Sequence, residues 1–309
     1  MKQRLGLFLI LYLFPVLICA QYRRPGASSA QFLKIPPYPR AMAMAEAYIS
    51  VTDGAEAAIY NPAALVKIRG TDMKFSYLKW FAGINLQFAS VSKKFNFGAL
   101  AISYTGLVTD IMKVRTPLQP DGTGETFYSS NTRLGISYSR FLTDRVSFGV
   151  TVNYINISLY SDFSRNAYAV DIAALYDSKF RNFKFGMKIS NFGSQLKFVN
   201  EAYPLPTSFV FGLSINLIER ERNYLLLSVS GFKPNDVQPQ ANIGLEWNVG
   251  GHLFVRGGYR INHGVAKFTC GGGVKFSLTD RYLVNFDYAM ANYSDLGNAH
   301  CFSLGLRLD

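Results

Sequence analysis

The sequence predicts an all-β fold, a closed 14-stranded antiparallel transmembrane β-barrel with a short helical N-terminal hatch that plugs the lumen. Three observations predict it. From Asp72 onward, segments of alternating apolar and polar residues follow one another to the end of the chain. Aromatic residues are 15% of the chain and charged residues only 17%, below the roughly one quarter of soluble domains. The links between the predicted strands alternate in length, as turns and loops of membrane barrels do.

The first 20 residues have the pattern of a secretory signal peptide. Lys2 and Arg4 precede an apolar run that ends at Cys19, and Ala20 offers a cleavage site. We therefore expect the mature protein to leave the cytoplasm, and a strand-rich exported protein of this pattern is expected in the outer membrane of a Gram-negative bacterium. No later stretch reaches the roughly eighteen apolar residues that a spanning helix needs.

The predicted organisation has a flexible segment at 21–31, a hatch at 32–70 and the barrel at 71–309. Between positions 41 and 64 the hatch contains alanine repeatedly, and small side chains suit a lumen of limited width. A helix is predicted from about Arg40 to Ile49 and a second, shorter one from about Glu56 to the Asn-Pro pair at 61–62. The hatch residues singled out are Phe32, Leu33, Arg40, Met44, Asp53, Tyr60, Asn61, Pro62 and Ala63.

Fourteen candidate strands follow the hatch. In 207–217, Phe, Leu and Ile occupy every second position from 209 onward, and Ser, Gly and Asn are prominent in the other phase. A half-solvated sandwich has the same alternation, but an even strand count and polar faces rich in Gly, Ser and Asn favour a barrel. Short turns are predicted after every second strand, for example at Lys93-Lys94 and at 142–144, with longer links between them. The link at Ala82 is an exception because it is short where a long one is expected.

The cysteines in the strands are predicted to point to opposite faces. Cys270 shares the apolar phase of its strand, whereas Cys301 shares the polar phase two strands later. Side chains on opposite faces cannot be bridged, so no disulfide is expected between them.

The sequence offers no arrangement expected of an enzyme. The three histidines, His252, His263 and His300, lie singly at strand ends or in a loop, and neither a nucleophile with its base nor a zinc spacing is recognisable. No cofactor is expected. Although the net charge is +12, Lys and Arg are scattered singly, which argues against nucleic acid and favours attraction to anionic lipid or to an anionic partner.

Two sets of residues are candidates for binding. Basic residues on the polar phases predict a basic lumen, for which pairing with the hatch acids Glu46, Asp53 and Glu56 is favoured over a ligand site. This set is Arg133, Lys184, Lys188, Arg256, Arg260 and Lys275. The long loop at 108–126 is the best candidate for an outer partner-binding loop. Its candidate residues are Met112, Lys113, Arg115, Pro117, Pro120 and Asp121.

The stretch FLKIPPYPRAMAMAEAYISVTDGAEAAIYNPAAL, residues 32–65, resembles the N-terminal hatch of the PorV/PorQ family, outer-membrane proteins of the type IX secretion system. Further matching motifs lie at 142–149, 191–193 and 204–207, and at the terminal Ser-Leu-Gly-Leu of 303–306. That family is similar in fold to the FadL fatty-acid transporters, which share the Asn-Pro-Ala element. The chain departs from the pattern at 44–46, where Met-Ala-Glu replaces Met-Gly-Gly, at Tyr60, where Trp is common, and at its last residue.

The resemblance implies a non-enzymatic outer-membrane barrel that binds or shuttles secreted cargo, or holds partners of an attachment complex, at the cell surface. Its implied partners are secretion-system proteins or a cargo signal domain, beside the lipid and lipopolysaccharide of the outer membrane. The alternative is a FadL-type transporter of hydrophobic small molecules, with such a molecule as ligand. The basic, polar inward phases favour docking over transport.

Overall fold

The computed structural model describes residues 26–160, 163–178, 180–198, 200–279 and 281–308. Fourteen strands close into one antiparallel barrel, which confirms the predicted fold class. The predicted signal peptide and most of the 21–31 segment lie outside the described residues. The barrel strands are β1 (Thr71–Lys79), β2 (Asn85–Phe95), β3 (Gly98–Val108), β6 (Ser130–Phe141), β7 (Val146–Ser158), β8 (Ser164–Asp177), β9 (Lys184–Gly193), β12 (Ser208–Arg220), β13 (Asn223–Pro234), β14 (Gln240–Val249), β15 (Leu253–Ile261), β16 (Phe268–Thr279), β17 (Tyr282–Asn292) and β18 (Asn298–Leu308).

Each barrel strand pairs with its neighbours in chain order, and β1 closes the barrel by pairing with both β2 and β18. One end, called here the tight-turn end, carries the short connections at 96–97, 142–145, 221–222 and 250–252. The other, the long-loop end, carries the links at 109–129 and 194–207 and also the short link at 80–84. No helix among the described residues is long and apolar enough to cross a membrane.

Two small sheets lie in the long loops and were not predicted. In the first loop, β4 (Met112–Lys113) pairs with β5 (Thr126–Phe127), and in the second, β10 (Leu196–Lys197) pairs with β11 (Ala202–Tyr203). The predicted turn at Lys93-Lys94 is wrong, because β2 continues to Phe95 and Lys94 pairs with Ala99. Apolar and polar residues alternate along both strands of a hairpin, so this alternation does not show where one strand ends and the turn begins. The turn was therefore placed too early in the sequence.

The helices before the barrel are shorter than predicted. The α-helices are Pro39–Ala43 and Ala57–Tyr60, and 3-10 helices span Gln31–Lys34, Pro62–Lys67 and Ser294–Leu296. The first helix ends before Ile49 because Ala45 and Glu46 adopt left-handed backbone conformations, which interrupt the helical hydrogen bonds. Asn61 begins the 3-10 helix, since its side chain accepts a hydrogen bond from the Ala63 N–H at 3.2 Å.

Residues 26–70, here called the inner segment, lie inside the barrel. The helix Pro39–Ala43 contacts β15 to β18, and the 3-10 helix Pro62–Lys67 contacts β6, β7 and β8 on another part of the wall. The buried core therefore sits in the lumen, while large apolar side chains such as Ile136 and Phe268 are 64% and 73% exposed on the outside. Cys301 is buried and Cys270 exposed, as their opposite phases predict.

Candidate functional site: the filled lumen and its cavities

Close backbone contact seats the first half of the inner segment against the wall. Ala41, Ala43 and Ala45 are fully buried, and glycines of the wall face them. A Cβ placed on Gly244 would lie 2.8 Å from the Met44 carbonyl oxygen, and one on Gly258 would lie 2.5 Å from the Ala45 nitrogen. Glycine is therefore required at these two wall positions, because a side chain there would fill space that the backbone of the inner segment already occupies.

The second half of the segment is held through its Asn-Pro-Ala element. Asn61 is fully buried, and its Nδ2 donates to the Ile49 carbonyl oxygen at 2.7 Å. The Ser139 hydroxyl on β6 donates to the Ala63 carbonyl oxygen at 3.0 Å. The predicted hatch residues Asn61, Pro62 and Ala63 thus link the two halves of the inner segment to each other and to the wall.

A buried network of charges joins Arg40 of the inner segment to the barrel. The Glu246 carboxylate accepts from Arg40 Nε at 2.7 Å and from Arg256 Nε at 2.6 Å, and Tyr224 donates to it as well at 2.9 Å. Arg256 Nη1 also donates to Asp287 at 2.6 Å. Because removing one partner of a buried ion pair leaves an uncompensated charge, this network fixes the inner segment strongly.

A second network lies on the wall near the short helix Ala57–Tyr60. Asp171 on β8 is fully buried, 3.3 Å from Arg133 Nη2 and 3.8 Å from Lys188 Nζ. Lys188 also donates to the Ile59 carbonyl oxygen, so this cluster too contacts the inner segment. At the same place the β8–β9 register shifts, and the Asn191 N–H donates to Asp171 at 2.7 Å.

The hatch acids pair differently from the prediction. Only Glu46 pairs with one of the predicted lumen bases, Arg260, at 3.1 Å. Asp53 pairs with Arg40 of the inner segment itself at 2.7 Å. Glu56 accepts a hydrogen bond from the Tyr48 hydroxyl at 3.0 Å. The wall acids Asp171, Glu246 and Asp287 supply most of the countercharge.

These wall acids were not among the predicted site residues, although their positions in the alternating pattern of the strands mark them as inward-facing. Glu246 lies on the polar phase of its strand, beside Asn242 and Gly244, and an acid on an inward phase of a basic lumen is a candidate partner for any base nearby. All six predicted lumen bases point inward. Lys184 and Lys275 lie toward the tight-turn end, away from the helix Ala57–Tyr60, and have no ion pair among the described residues.

Glu56 is a buried carboxyl group whose ionisation is opposed by its surroundings. Its side chain is 1% exposed, and burial, opposed in part by the charge of Lys74, raises its pKa to about 7. Its Oε2 has no hydrogen-bond partner among the described residues. The group therefore changes charge near neutral pH.

Two cavities adjoin the inner segment near the long-loop end. The outer one has a volume of about 600 Å³ and a mostly apolar lining that includes Phe32, Ile35, Leu107, Ile157 and Phe198. The inner one, of about 90 Å³, lies between the inner segment and strands β9 and β12 to β14.

Ile35 lines both cavities and separates a large apolar chamber from a small mixed one. Leu33, one of the predicted hatch residues, lines the inner cavity, and Phe32 lines the outer one. The two cavities therefore adjoin each other at Ile35.

The predicted outer loop projects from the long-loop end. Met112 and Lys113 form β4, and a bridge between Thr116 and Gln119 folds the loop back on itself. All the other candidate residues of this loop are exposed as well. These are Arg115, Pro117, Pro120 and Asp121. The loop is thus an ordered, accessible projection and lies apart from the lumen.

Comparison with known proteins gives fold relatives only. No protein-family model matches the chain, and no curated protein matches it. Among solved structures, the chain is similar to the Pseudomonas putida toluene transporter TodX, with a TM-score of 0.61 at 13% identity over 88% of this chain and 97% of that one.

It is also similar to the Ralstonia pickettii toluene transporter TbuX, with a TM-score of 0.57 at 11% identity, covering 88% of this chain and 98% of that one. A Pseudomonas aeruginosa FadL homologue matches with a TM-score of 0.52 at 12% identity, covering 89% and 99% of the two chains. The protein therefore has the FadL-like fourteen-stranded barrel fold.

Proposed function

We propose that the protein is an outer-membrane channel that carries small hydrophobic molecules across the membrane. The outer cavity carries this proposal. Its volume of about 600 Å³ and its lining by Phe32, Ile35, Leu107 and Ile157 suit a small apolar ligand. The fold likeness to proteins described as toluene transporters supports the same assignment.

The outside of the barrel supports the membrane location. Ile102 and Ile136 are 63% and 64% exposed, and Phe268 is 73% exposed. Soluble monomers rarely expose such large apolar surfaces, because contact of apolar groups with water is unfavourable. Barrel strands of nine to fourteen residues are long enough to cross a bilayer when tilted. A closed barrel also leaves no unpaired backbone edge in lipid.

The inner segment acts as the hatch of this channel. A ligand enters the outer cavity from the long-loop end, and Ile35 controls its passage into the inner cavity. The charge networks around Glu246 and Asp171 hold the remaining segment in place, so the step from the outer to the inner cavity requires residues 31–37 to move.

A binding assay with the full chain in detergent tests this function. N-phenyl-1-naphthylamine, whose fluorescence rises in apolar sites, is titrated and then displaced with toluene. Ile157→Arg places a charge in the outer cavity, and we expect at least about a tenfold weaker binding because a buried unpaired charge is costly. Leu118→Arg is the matched control, since Leu118 is 94% exposed on the outer loop. Equal binding by the parent and Ile157→Arg would refute the proposal.

Docking in type IX secretion is the second candidate function. The resemblance of residues 32–65 to the PorV/PorQ hatch motivates it, and exposed apolar side chains on the outer loop favour it. Ile111 is 74% exposed and Leu118 94% exposed, and exposed apolar groups on a folded loop suit a protein partner.

Co-purification from outer membranes in mild detergent separates the two functions. Docking predicts that type IX cargo or translocon subunits co-purify and are lost when residues 112–121 are replaced by a Gly-Ser linker. Transport predicts bound hydrophobic molecules, with no protein lost on that replacement.

A further inference from the structure

The tight-turn end carries exposed basic side chains that the channel function does not use. Six of them are here called the basic collar: Lys93, Arg140, Arg145, Arg220, Arg222 and Arg281. Among the described residues, the exposed acids of this end number only three, Asp144, Glu219 and Glu221. The positive charge of the collar therefore exceeds the negative charge of the exposed acids that the structure describes at this end.

The cationic groups of the collar are unpaired in the part of the chain that the structure describes. None of these cationic groups lies within 4.0 Å of a described carboxylate, although Arg220 lies between Glu219 and Glu221 in the sequence. By contrast, the Arg165 guanidinium at the long-loop end already donates to the Lys197 and Phe198 carbonyl oxygens. The collar is therefore available to an external anion.

The collar lies directly beyond the apolar outer surface. Arg140 follows the outward-facing Tyr138 by two residues along β6, and Arg220 follows Ile218, which is 51% exposed. Arg281 precedes Tyr282, which is 45% exposed. The Lys93 Nζ lies 5.7 Å from the centre of the Phe95 ring. Positive charge at the edge of an apolar belt coincides with the level of lipid headgroups.

The residue type points to phosphate. Five of the six collar residues are arginine, whose planar guanidinium binds phosphate oxygens through two parallel hydrogen bonds. At the long-loop end, the exposed bases on or beside the strand ends include Lys79, Lys233 and Lys267 and also Arg165, which already donates to backbone carbonyl oxygens. Arginine therefore predominates among the exposed bases of the tight-turn end.

We propose that the basic collar binds the phosphate groups of anionic phospholipids in the leaflet at the tight-turn end, and so fixes the depth of the barrel. This rests on the membrane location in the proposed function. Lipid is favoured over an acidic protein because Lys93, Arg140 and Arg220 extend from strands at the belt edge.

Trp247 offers a direct probe. It is 54% exposed on the outer face of β14, near the tight-turn end, and β14 pairs with β13, which follows Arg222. The full chain with Trp80→Phe is inserted into phosphatidylcholine vesicles, and Trp247 fluorescence is quenched with dibrominated phosphatidylglycerol or dibrominated phosphatidylcholine. Each nearby base contributes a few-fold to anionic lipid binding, so we expect about a tenfold or greater preference for phosphatidylglycerol.

The variant Arg220→Gln with Arg222→Gln should lose most of that preference, and the matched control Lys233→Gln with Lys267→Gln should keep it. The preference should also weaken as salt is raised. Equal quenching by the two lipids in the parent, or full preference in the collar variant, would overturn the proposal. Equal quenching together with collar-dependent binding of polyglutamate would assign the collar to an acidic protein. No quenching by either lipid would instead refute the membrane location itself.

Discussion

Replacing Gly258 with alanine should displace the inner segment from the barrel wall. The new Cβ would lie 2.5 Å from the Ala45 nitrogen and 2.7 Å from the Ala45 Cβ, where ordinary contacts begin near 3.4 Å. The wall cannot yield, because Gly258 pairs with Gly244 on one side and Thr269 on the other. The inner segment must therefore move by roughly 1 Å, as overpacked sites generally force.

The free-energy cost of this shift has two parts, the overpacking itself and the loss of a buried hydrogen bond. Overpacking of a well-packed site costs about 1–3 kcal/mol. The Ala45 N–H donates to Thr269 Oγ1 at 3.1 Å and the same hydroxyl donates to the Ala43 carbonyl oxygen at 2.9 Å, and losing a buried hydrogen bond costs about 1 kcal/mol more. The smallest values, about 1 kcal/mol for each cost, give about 2 kcal/mol, which corresponds to roughly a 30-fold loss of amide protection.

Hydrogen exchange measured by mass spectrometry on the full chain in detergent tests this expectation. Peptides covering 40–52 should exchange about 30-fold faster in Gly258→Ala, while the barrel strands keep their protection. Gly257→Ala is the matched control, because a Cβ there meets nothing within 4 Å, and both glycines lie in the same strand. Parental exchange in Gly258→Ala, or equal acceleration in both variants, would refute the packing argument.

Three further outcomes are expected. Glu246→Gln should destabilise the attachment of the inner segment by about 3 kcal/mol, because Arg40 and Arg256 lose a buried countercharge; limited proteolysis of residues 40–52 measures it. The pKa of Glu56, raised to about 7 by burial, lies above its unfolded value, so its contribution to stability is full below about pH 4.5 and is lost as the pH rises through 7. Thermal unfolding between pH 5 and 8 should therefore show a declining midpoint that Glu56→Gln largely removes. Asp236→Asn should release residues 28–34, since its carboxylate accepts from Gln31 at 2.9 Å and from Lys34 at 2.5 Å; hydrogen exchange of that stretch reports the release.

Controls make these three outcomes decisive. Glu219→Gln, at the exposed turn after β12, should leave proteolysis unchanged, and equal resistance in the two glutamate variants would contradict the network's role. A midpoint that declines with pH equally in the parent and in Glu56→Gln would assign the titration to another group. Unchanged exchange at 28–34 in Asp236→Asn would show that the hydrogen bond from the Ser29 N–H to the Pro204 carbonyl, 2.9 Å long, suffices to hold that stretch.

The candidate site was predictable in part. The inward orientation of Arg133, Lys188 and Arg256 followed from their polar phases, because side chains alternate strictly across a strand. Their partners were not predicted, although Glu246 lies directly opposite Arg256 in the β14–β15 hairpin and Asp171 lies on β8 beside the strand of Lys188, because which residues face each other depends on the register that each turn sets. The large apolar cavity also has no local signal: Phe32, Leu107 and Ile157 come from three separate parts of the chain.

The sequence by itself determined the barrel, the number of its spanning strands and the faces of its side chains, because a two-residue period is a local property that each strand carries alone. It also marked the small-residue stretch that fills the lumen. Only the tertiary structure decided which charges pair, where the turn after β2 lies and where the inner segment leaves space. The charge pairs and the turn depend on strand register, and the space beside the inner segment depends on distances that closure of the barrel sets; the alternation of apolar and polar residues encodes neither.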